Sequence, residues 1–371
     1  MGTSVSVVST RQEAPGIGRR RLAWALPLTA TAIWAVVVIV TGLLGRAVDH
    51  WAAALTMLFG SFLAGSSPEG GGAVAFPVLT KGLHVPGEVA RTFGLAIQAV
   101  GMSMAMATIV LLRRPMHLRA LATAGAAAVV GFLGSVALWG EGDEVFWPSA
   151  VPTPWIKAIF SIVLGTTALL MVHHDRAPAT EPPTRWTGRH TAALVAVGLA
   201  GGFLSSLTGT GANIAVFLFL VVLVGVDARI ALPTAIGVMT AVSVVGLALF
   251  GVADGQLDVT VAGDRVVAVG GEPVDLAASE ADLLGLWLAA VPIVVWGAPL
   301  GSWLASRVTE RTLLRFVAAL AAFEVLTTFV LVPELRRDGS LIVFFVGGLL
   351  LTPLAILALR SRRGQVFGVD P

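Results

Sequence analysis

Apolar runs long enough to span a bilayer recur along this chain from Leu22 to Leu359. Eight of them read as full transmembrane helices, over 22–44, 88–112, 117–139, 155–173, 228–252, 282–306, 311–333 and 341–359. Each is near the roughly 20 residues that cross a hydrocarbon core. Two further apolar stretches, 51–83 and 190–226, are too long for one span and are broken near the middle by glycine. Their pieces, such as 51–65 and 73–83, are shorter than a span. Both stretches read as re-entrant helical hairpins, with non-helical backbone at a tip that protein or a wet cavity must surround. Two short tilted helices are the alternative.

The two broken stretches repeat each other. Gly60-Ser-Phe-Leu-Ala-Gly-Ser-Ser-Pro-Glu-Gly-Gly-Gly-Ala-Val-Ala-Phe76 aligns without a gap on Gly201-Gly-Phe-Leu-Ser-Ser-Leu-Thr-Gly-Thr-Gly-Ala-Asn-Ile-Ala-Val-Phe217, at an offset of 141 (201 − 60). The register continues through Val85/Val226 and Ala90/Ala231. Leu133-Gly134-Ser135 matches Leu300-Gly301-Ser302 at an offset of 167 (300 − 133). The extra 26 residues (167 − 141) belong to a stretch near 254–281. There Leu257–Val269 alternates apolar and polar residues around Ala262-Gly263-Asp264, which reads as an external β-hairpin insertion. Gly297 and Gly301, four apart, suit close helix packing.

Composition agrees with the runs: 56% of residues are hydrophobic and only 12% charged, against roughly 25% charged in a soluble domain. A net charge of +2, with basic residues clustered between apolar runs, reads as a topology signal and excludes a nucleic-acid surface. The chain has no cysteine, so disulfides and thiolate metal sites are excluded. Arg19–Arg21 precede an apolar run longer than a signal peptide's, so a retained first helix with a cytoplasmic N-terminus is expected. Counting crossings from there, Arg113, Arg114, Arg119, Arg176, Arg185, Arg189, Arg307, Arg311, Arg360, Arg362 and Arg363 fall inside, and Glu141–Glu144 fall outside. Arg336 and Arg337 are the exception. This parity holds only if 51–83 enters and leaves on one face.

Three spans separate the hairpins, an odd number, so the halves are inverted. The expected fold class is an all-α polytopic membrane protein. It divides into a cytoplasmic tail (1–21), a first span (22–50), repeat 1 (51–174), a cytoplasmic linker (175–189), repeat 2 (190–335) and a last helix with a cytoplasmic tail (336–371). Each repeat is a hairpin plus three spans.

In each hairpin the second half-helix starts just after the glycines, near Ala73 and Ala212. A helix N-terminus offers unpaired N–H groups and partial positive charge, and glycine lets a ligand approach the backbone. Two tips meeting near the midplane therefore suit a small oxyanion. The candidate substrate-binding residues are Ser66, Ser67, Glu69, Gly70, Gly71 and Gly72 at the first tip, with Thr208, Gly209, Thr210, Gly211 and Asn213 at the second. Ser205 and Ser206 share the second tip, and Thr92, Gln98, Thr234 and Thr240 lie on the spans that follow, Gln98 being the one carried into the candidate site. Glu69 does not suit a plain anion site: it either caps the half-helix or takes up a proton, with Arg91 or His84 as candidate partner. Glu324, the other intramembrane acid, is expected to face the bundle interior. Glu69, Arg91 and Glu324 are the coupling candidates.

The glycine-rich tips Ser66-Ser-Pro-Glu-Gly-Gly-Gly72 and Thr208-Gly-Thr-Gly211, each followed by an apolar helix and an Ala-x-x-Thr-like start (Ala90-Arg-Thr92, Ala231-Leu-Pro-Thr234), resemble the TauE/SafE sulfite exporter family. The resemblance covers roughly 55–335 and implies a transporter of sulfite or an organosulfonate, not an enzyme. Pro68-Glu69 and the insertion near 254–281 depart from the family pattern. No cofactor and no metal are expected. The expected partners are a small anionic substrate and the lipid bilayer of the cell's inner (plasma) membrane, with no nucleic acid and with homodimer formation left open. No Gly-x-x-x-x-Gly-Lys-Ser/Thr run is present for ATP-driven transport. A lipid pyrophosphate phosphatase and an anion channel are the alternatives, the first opposed by a second tip without any acid.

Overall fold

The computed structural model describes residues 16–83, 85–139, 152–174, 186–253, 257, 266–269, 272–275 and 282–361. Among them, nine helices are long and apolar enough to cross a membrane, and the chain is a multi-pass membrane protein. In order these are α1 (Ile17–Val40), α5 (Gly87–Leu111), α6 (Leu118–Trp139), α7 (Thr153–His174), α8 (Gly188–Thr208), α10 (Ala228–Gly246), α11 (Leu283–Ala305), α12 (Glu310–Leu331) and α14 (Gly339–Ser361). The shorter elements are α2 (Leu44–Asp49), α3 (Trp51–Ser66), α4 (Gly72–Pro77), α9 (Ala212–Leu218) and α13 (Pro333–Arg337). Two strands, β1 (Val266–Val269) and β2 (Glu272–Asp275), pair antiparallel with Val269 opposite Glu272. Residues 262–264, where the sequence predicts a turn, lie outside the described residues, and the pairing centres further along the chain.

Only 17% of the apolar window is buried in α1 and in α14, against 67% in α7 and α11. The first and last helices are therefore peripheral and present apolar side chains such as Ile33, Val36, Leu351 and Leu354 outward. Between them, α3 lies along α11 and α8 along α6, while α5 pairs with α10 and α7 with α12. Each broken helix thus packs on the middle span of the opposite half of the sequence. Glycine permits this closeness. A Cβ at Gly301 would stand 2.0 Å from the Phe62 carbonyl oxygen, and one at Gly202 would stand 1.9 Å from that of Ala128.

The chain reverses at both breaks. α4 folds back on α3, where a Cβ at Gly60 would lie 3.5 Å from that of Val74, and α9 folds back on α8, with Gly201 and Ala215 related in the same way at 3.1 Å. Both returning helices loosen into a π-helical turn, Val78–Gly82 and Phe219–Val224. Both then close with one equivalent bond: Val85 N donates to Leu79 O at 2.9 Å, and Val226 N donates to Leu220 O at 2.8 Å.

One length differs from the sequence reading. α8 has 21 residues, so this arm is as long as a span, while α3 has 16. A capping box explains the early start: Thr187 accepts from His190 N, and His190 Nδ1 accepts from Thr187 N at 3.2 Å. Gly198, Gly201 and Gly202 do not break the helix, because it is packed against Ala124 and Ala128 of α6 and against α9.

Candidate functional site

The tips are made by glycines in backbone conformations that side chains disfavour. Gly70 and Gly209 both have φ +75°, and Gly211 has φ +144°. These turns let α3 stop at Ser66 and α4 start at Gly72, and let α8 stop at Thr208 and α9 start at Ala212.

The two tips meet. Thr210 Oγ1 donates to the Glu69 backbone carbonyl at 3.1 Å and also reaches Asn213 Oδ1 at 3.2 Å. Gln98 of α5 donates from Nε2 to Gly94 O at 2.9 Å and to Gly209 O at 2.7 Å. A Cβ on Gly70 would lie 2.6 Å from Gln98 Oε1 and 2.9 Å from Asn213 Nδ2, and one on Gly72 would lie 2.8 Å from Gln98 Nε2. So Glu69, Gly70, Gly72, Gln98, Gly209, Thr210 and Asn213 are brought together. Gly71 instead faces α3, near Met57 and the Gly60 carbonyl.

Other candidates serve their own backbone. Ser66 donates to Phe62 O at 2.9 Å, and Thr208 donates to Leu204 O at 3.1 Å and to Thr210 O. Ser205 Oγ accepts from Ala212 N at 2.9 Å, and Asn213 Oδ1 accepts from Gly211 N at 3.2 Å, so the start of α9 is partly capped from within. Thr234 and Thr240 bond their own helix, to Ile230 O and Ile236 O.

Two buried atoms at the junction, Gln98 Oε1 and Asn213 Nδ2, have no hydrogen-bond partner among the described residues, and the same holds for Ser67 Oγ and both carboxyl oxygens of Glu69 on the first tip and for Thr92 Oγ1 on α5. Buried polar atoms are paired in the great majority of cases, so a cluster of this size is an unmet demand for hydrogen bonds. At the junction itself it offers a donor, the Asn213 amide N–H, and an acceptor, the Gln98 amide oxygen.

Glu69 does not cap α4, because its carboxyl meets no backbone N–H and the position before the helix, Gly71, carries no side chain. Arg91 is directed to the second tip: Nη1 donates to Ser206 O at 3.4 Å and the guanidinium lies 4.7 Å from the Phe250 ring centroid. His84, the other proposed partner, lies outside the described residues.

Glu324 is buried, and it is paired with a residue that the sequence reading passed over. Lys81 Nζ stands 3.1 Å from Glu324 Oε1. The available signal was a lysine inside the apolar run 73–83 and a glutamate inside another. Neither position hints at the other, because 243 residues separate them.

On the side that carries Arg20, Arg114, Arg229 and Arg307, a cavity of about 630 Å³ runs inward to Gly65 and Ser302, next to the first tip. Asp227 also lines it.

The family model described as "Sulfite exporter TauE/SafE" matches residues 52–328. No curated protein and no solved structure matches the chain.

Proposed function

The chain belongs to the TauE/SafE sulfite exporter family, and on that premise we propose that it carries a small sulfur-containing oxyanion, such as sulfite or an organosulfonate, bound between its two glycine-rich tips. Membership of the family supports a membrane transporter of sulfur anions, a reading in which the chain is not an enzyme. The observation that carries the finer reading is the tip contact from Thr210 to Glu69, surrounded by buried polar atoms without protein partners. Such atoms can be satisfied by the oxygens of a tetrahedral or pyramidal anion, and both tips begin a returning helix whose N–H groups favour negative charge.

The equivalent folds at Gly60–Val74 and Gly201–Ala215, and the equivalent bonds at Val85 and Val226, support two inverted repeats of hairpin plus three spans. Alternating access is then a rocking of one repeat against the other about the tips. The arginine-lined cavity supports an entrance on the cytoplasmic face, since positively charged loops favour that side of an inner membrane. Arginines at its mouth attract anions from that compartment, which supports export. Both termini lie on the cytoplasmic face in this reading.

The test is flux in proteoliposomes with sulfite, sulfate, thiosulfate and a sulfonate, for wild type and for Gly70→Val and Gly211→Val. Wild type moves at least one of the first, third and fourth, and both variants lose it while remaining in the membrane. Wild-type flux in the variants overturns the two-tip site. Hydrolysis of a lipid pyrophosphate with no anion flux replaces the reading by a phosphatase.

A further inference from the structure

The arginine-lined cavity is larger than a small oxyanion needs. Its volume of about 630 Å³ lies within the roughly 300–1,000 Å³ of sites that bury a whole organic ligand. Sulfite, with its few heavy atoms, takes up on the order of two water volumes, ~60 Å³. The wall also divides by chemistry. Arg20, Arg114, Arg229 and Arg307 line it with a single acid, Asp227, which is bound to Arg229 at 2.9 Å. Glu310 accepts from Ala228 N at 2.8 Å and is not part of the wall. No described acidic side chain pairs with Arg20, Arg114 or Arg307. Arg114 is half-buried, and burial together with the Arg307 charge holds its pKa below the usual guanidinium value. Positive charges gathered in one concavity without a counter-charge favour an anion.

Deeper in, the wall turns apolar. Ile236 stands seven residues (236 − 229) beyond Arg229 along α10, about 10 Å further in. Ile109 and Leu232 line the same wall, and the Ser302 hydroxyl at the inner end donates its hydrogen to Pro299 O at 2.9 Å. An acidic group finds its partners at the arginines, and an apolar group finds its own beyond them.

Two of the lining residues, Arg20 and Trp24, come from α1, which precedes the family match at 52–328. Arg20, Trp24, Pro27, Thr31, Trp34 and Val38 recur every three or four residues, so they form one stripe of that helix. Pro27 and Val38 of the stripe are buried, and two indoles tie it to α11. Trp34 Nε1 donates to Leu288 O at 3.0 Å, and Trp296 Nε1 donates to Thr31 Oγ1 at 3.0 Å. Position rises along α11 as it falls along α1, so the two helices are antiparallel. Trp24 and Trp303 therefore continue the contact into the cavity, where the Arg307 guanidinium lies 4.6 Å from the Trp303 ring centroid.

We propose that this cavity binds an organic anion with a singly charged oxyanion head and an apolar body of several carbons, as in a medium-chain alkanesulfonate. The head lies among Arg20, Arg114 and Arg307, and the body lies inward against Trp24, Trp303 and Ile236. The first helix is the element that selects the body, and an inorganic oxyanion uses the arginines alone. Passage of the bound anion to the tips rests on the reading above; its binding in the cavity does not.

The test is calorimetric titration of the full chain in phosphatidylcholine nanodiscs with sulfite and with methane-, butane- and hexanesulfonate, against empty nanodiscs. Affinity should rise about fourfold for each methylene buried. Arg114→Gln and Arg307→Gln should each weaken all the sulfonates about tenfold, while Arg307→Lys keeps most of the binding. Trp24→Ala should weaken hexanesulfonate and leave methanesulfonate within about twofold, a pattern that general misfolding does not give. Thr210→Val, at the tips, should bind as wild type does. Equal affinity for methane- and hexanesulfonate overturns the proposal, as does wild-type affinity in both arginine-to-glutamine variants. Loss of hexanesulfonate binding when phosphatidylglycerol replaces part of the phosphatidylcholine overturns it in favour of a lipid-headgroup site. If hexanesulfonate binds in the expected pattern but does not cross proteoliposomes, the transport reading fails for it and the site stands. If it crosses while its binding ignores both arginines, the site fails and the transport reading stands.

Discussion

Thr210 donates its hydroxyl hydrogen to the main-chain carbonyl of Glu69 across 3.1 Å, and the two residues stand 141 positions apart, the interval that superposes one glycine tip on the other. Equivalent positions of the two aligned segments thus touch each other, which supports the proposed pair of inverted repeats. The bond is asymmetric, because position 69 offers a carboxyl where position 210 offers a hydroxyl.

This contact is the first target for mutation. Thr210→Val keeps the shape and leaves the Glu69 carbonyl unpaired, a loss of about 1–3 kcal/mol. If the contact positions the substrate, flux should fall about tenfold or more with little change in the amount of protein in the membrane. Thr210→Ser should retain most of the activity. Wild-type flux in Thr210→Val would remove the tip contact from the mechanism.

Packing glycines should separate from idle ones. Gly202→Ala and Gly301→Ala drive a methyl group into backbone oxygens at 1.9 and 2.0 Å, so each should lower stability by about 1–3 kcal/mol or more. Gly125→Ala and Gly134→Ala meet nothing within 4 Å and should be neutral or slightly stabilising. Thermal unfolding in detergent reads the difference.

Arg46 reaches from α2 to the start of α11 and grips Asp282 through two nitrogens, with Nη2 at 2.7 Å from Oδ1. Asp282 is 3% exposed in its side chain and Arg46 22%, so water screens the pair only partly. Asp282→Asn should cost about 2 kcal/mol, below the value for a fully buried pair. The expected readout is a lower unfolding temperature in detergent.

His117 gives a pH dependence. Its Nδ1 accepts from Ala120 N at 3.1 Å at the start of α6, and its ring stacks on Trp186 at 4.4 Å. Burial lowers its pKa from the ordinary 6.5, so the folded chain prefers the neutral ring. A group lowered in this way contributes stability above its unfolded value and loses it as pH falls through that value toward the folded one. Unfolding temperature should therefore drop on going from about pH 7 to about pH 5. His117→Asn, whose amide oxygen accepts at any pH, should flatten the drop.

Much of this architecture was legible in the chain. Span lengths follow from bilayer thickness, so the run read over 282–306 falls within one residue of α11 at each end. The repeat register runs through Val85 and Val226, which make equivalent bonds in the structure, and Gly70 and Gly211, aligned in the repeat, both take positive φ. Local chemistry also misled in one place: α8 is longer than its glycines imply, because packing on α6 supplies what helix propensity withholds.

By itself, then, the sequence determined the membrane class, the number and place of the breaks, and the residues that populate the tips, since these depend on hydropathy, glycine conformation and repetition along one dimension. Tertiary structure alone decided which of those residues face one another. Gly134 and Gly301 occupy matching tripeptides, yet one meets open space and the other a carbonyl. Lys81 and Glu324 carry no mutual signal in the chain, and Glu69 could be a cap, a partner of arginine or a lone acid until its neighbours were in place. Charge pairing at membrane depth is set by distances of a few ångströms between distant segments, and only the folded packing of α4, α7 and α12 brings those segments together.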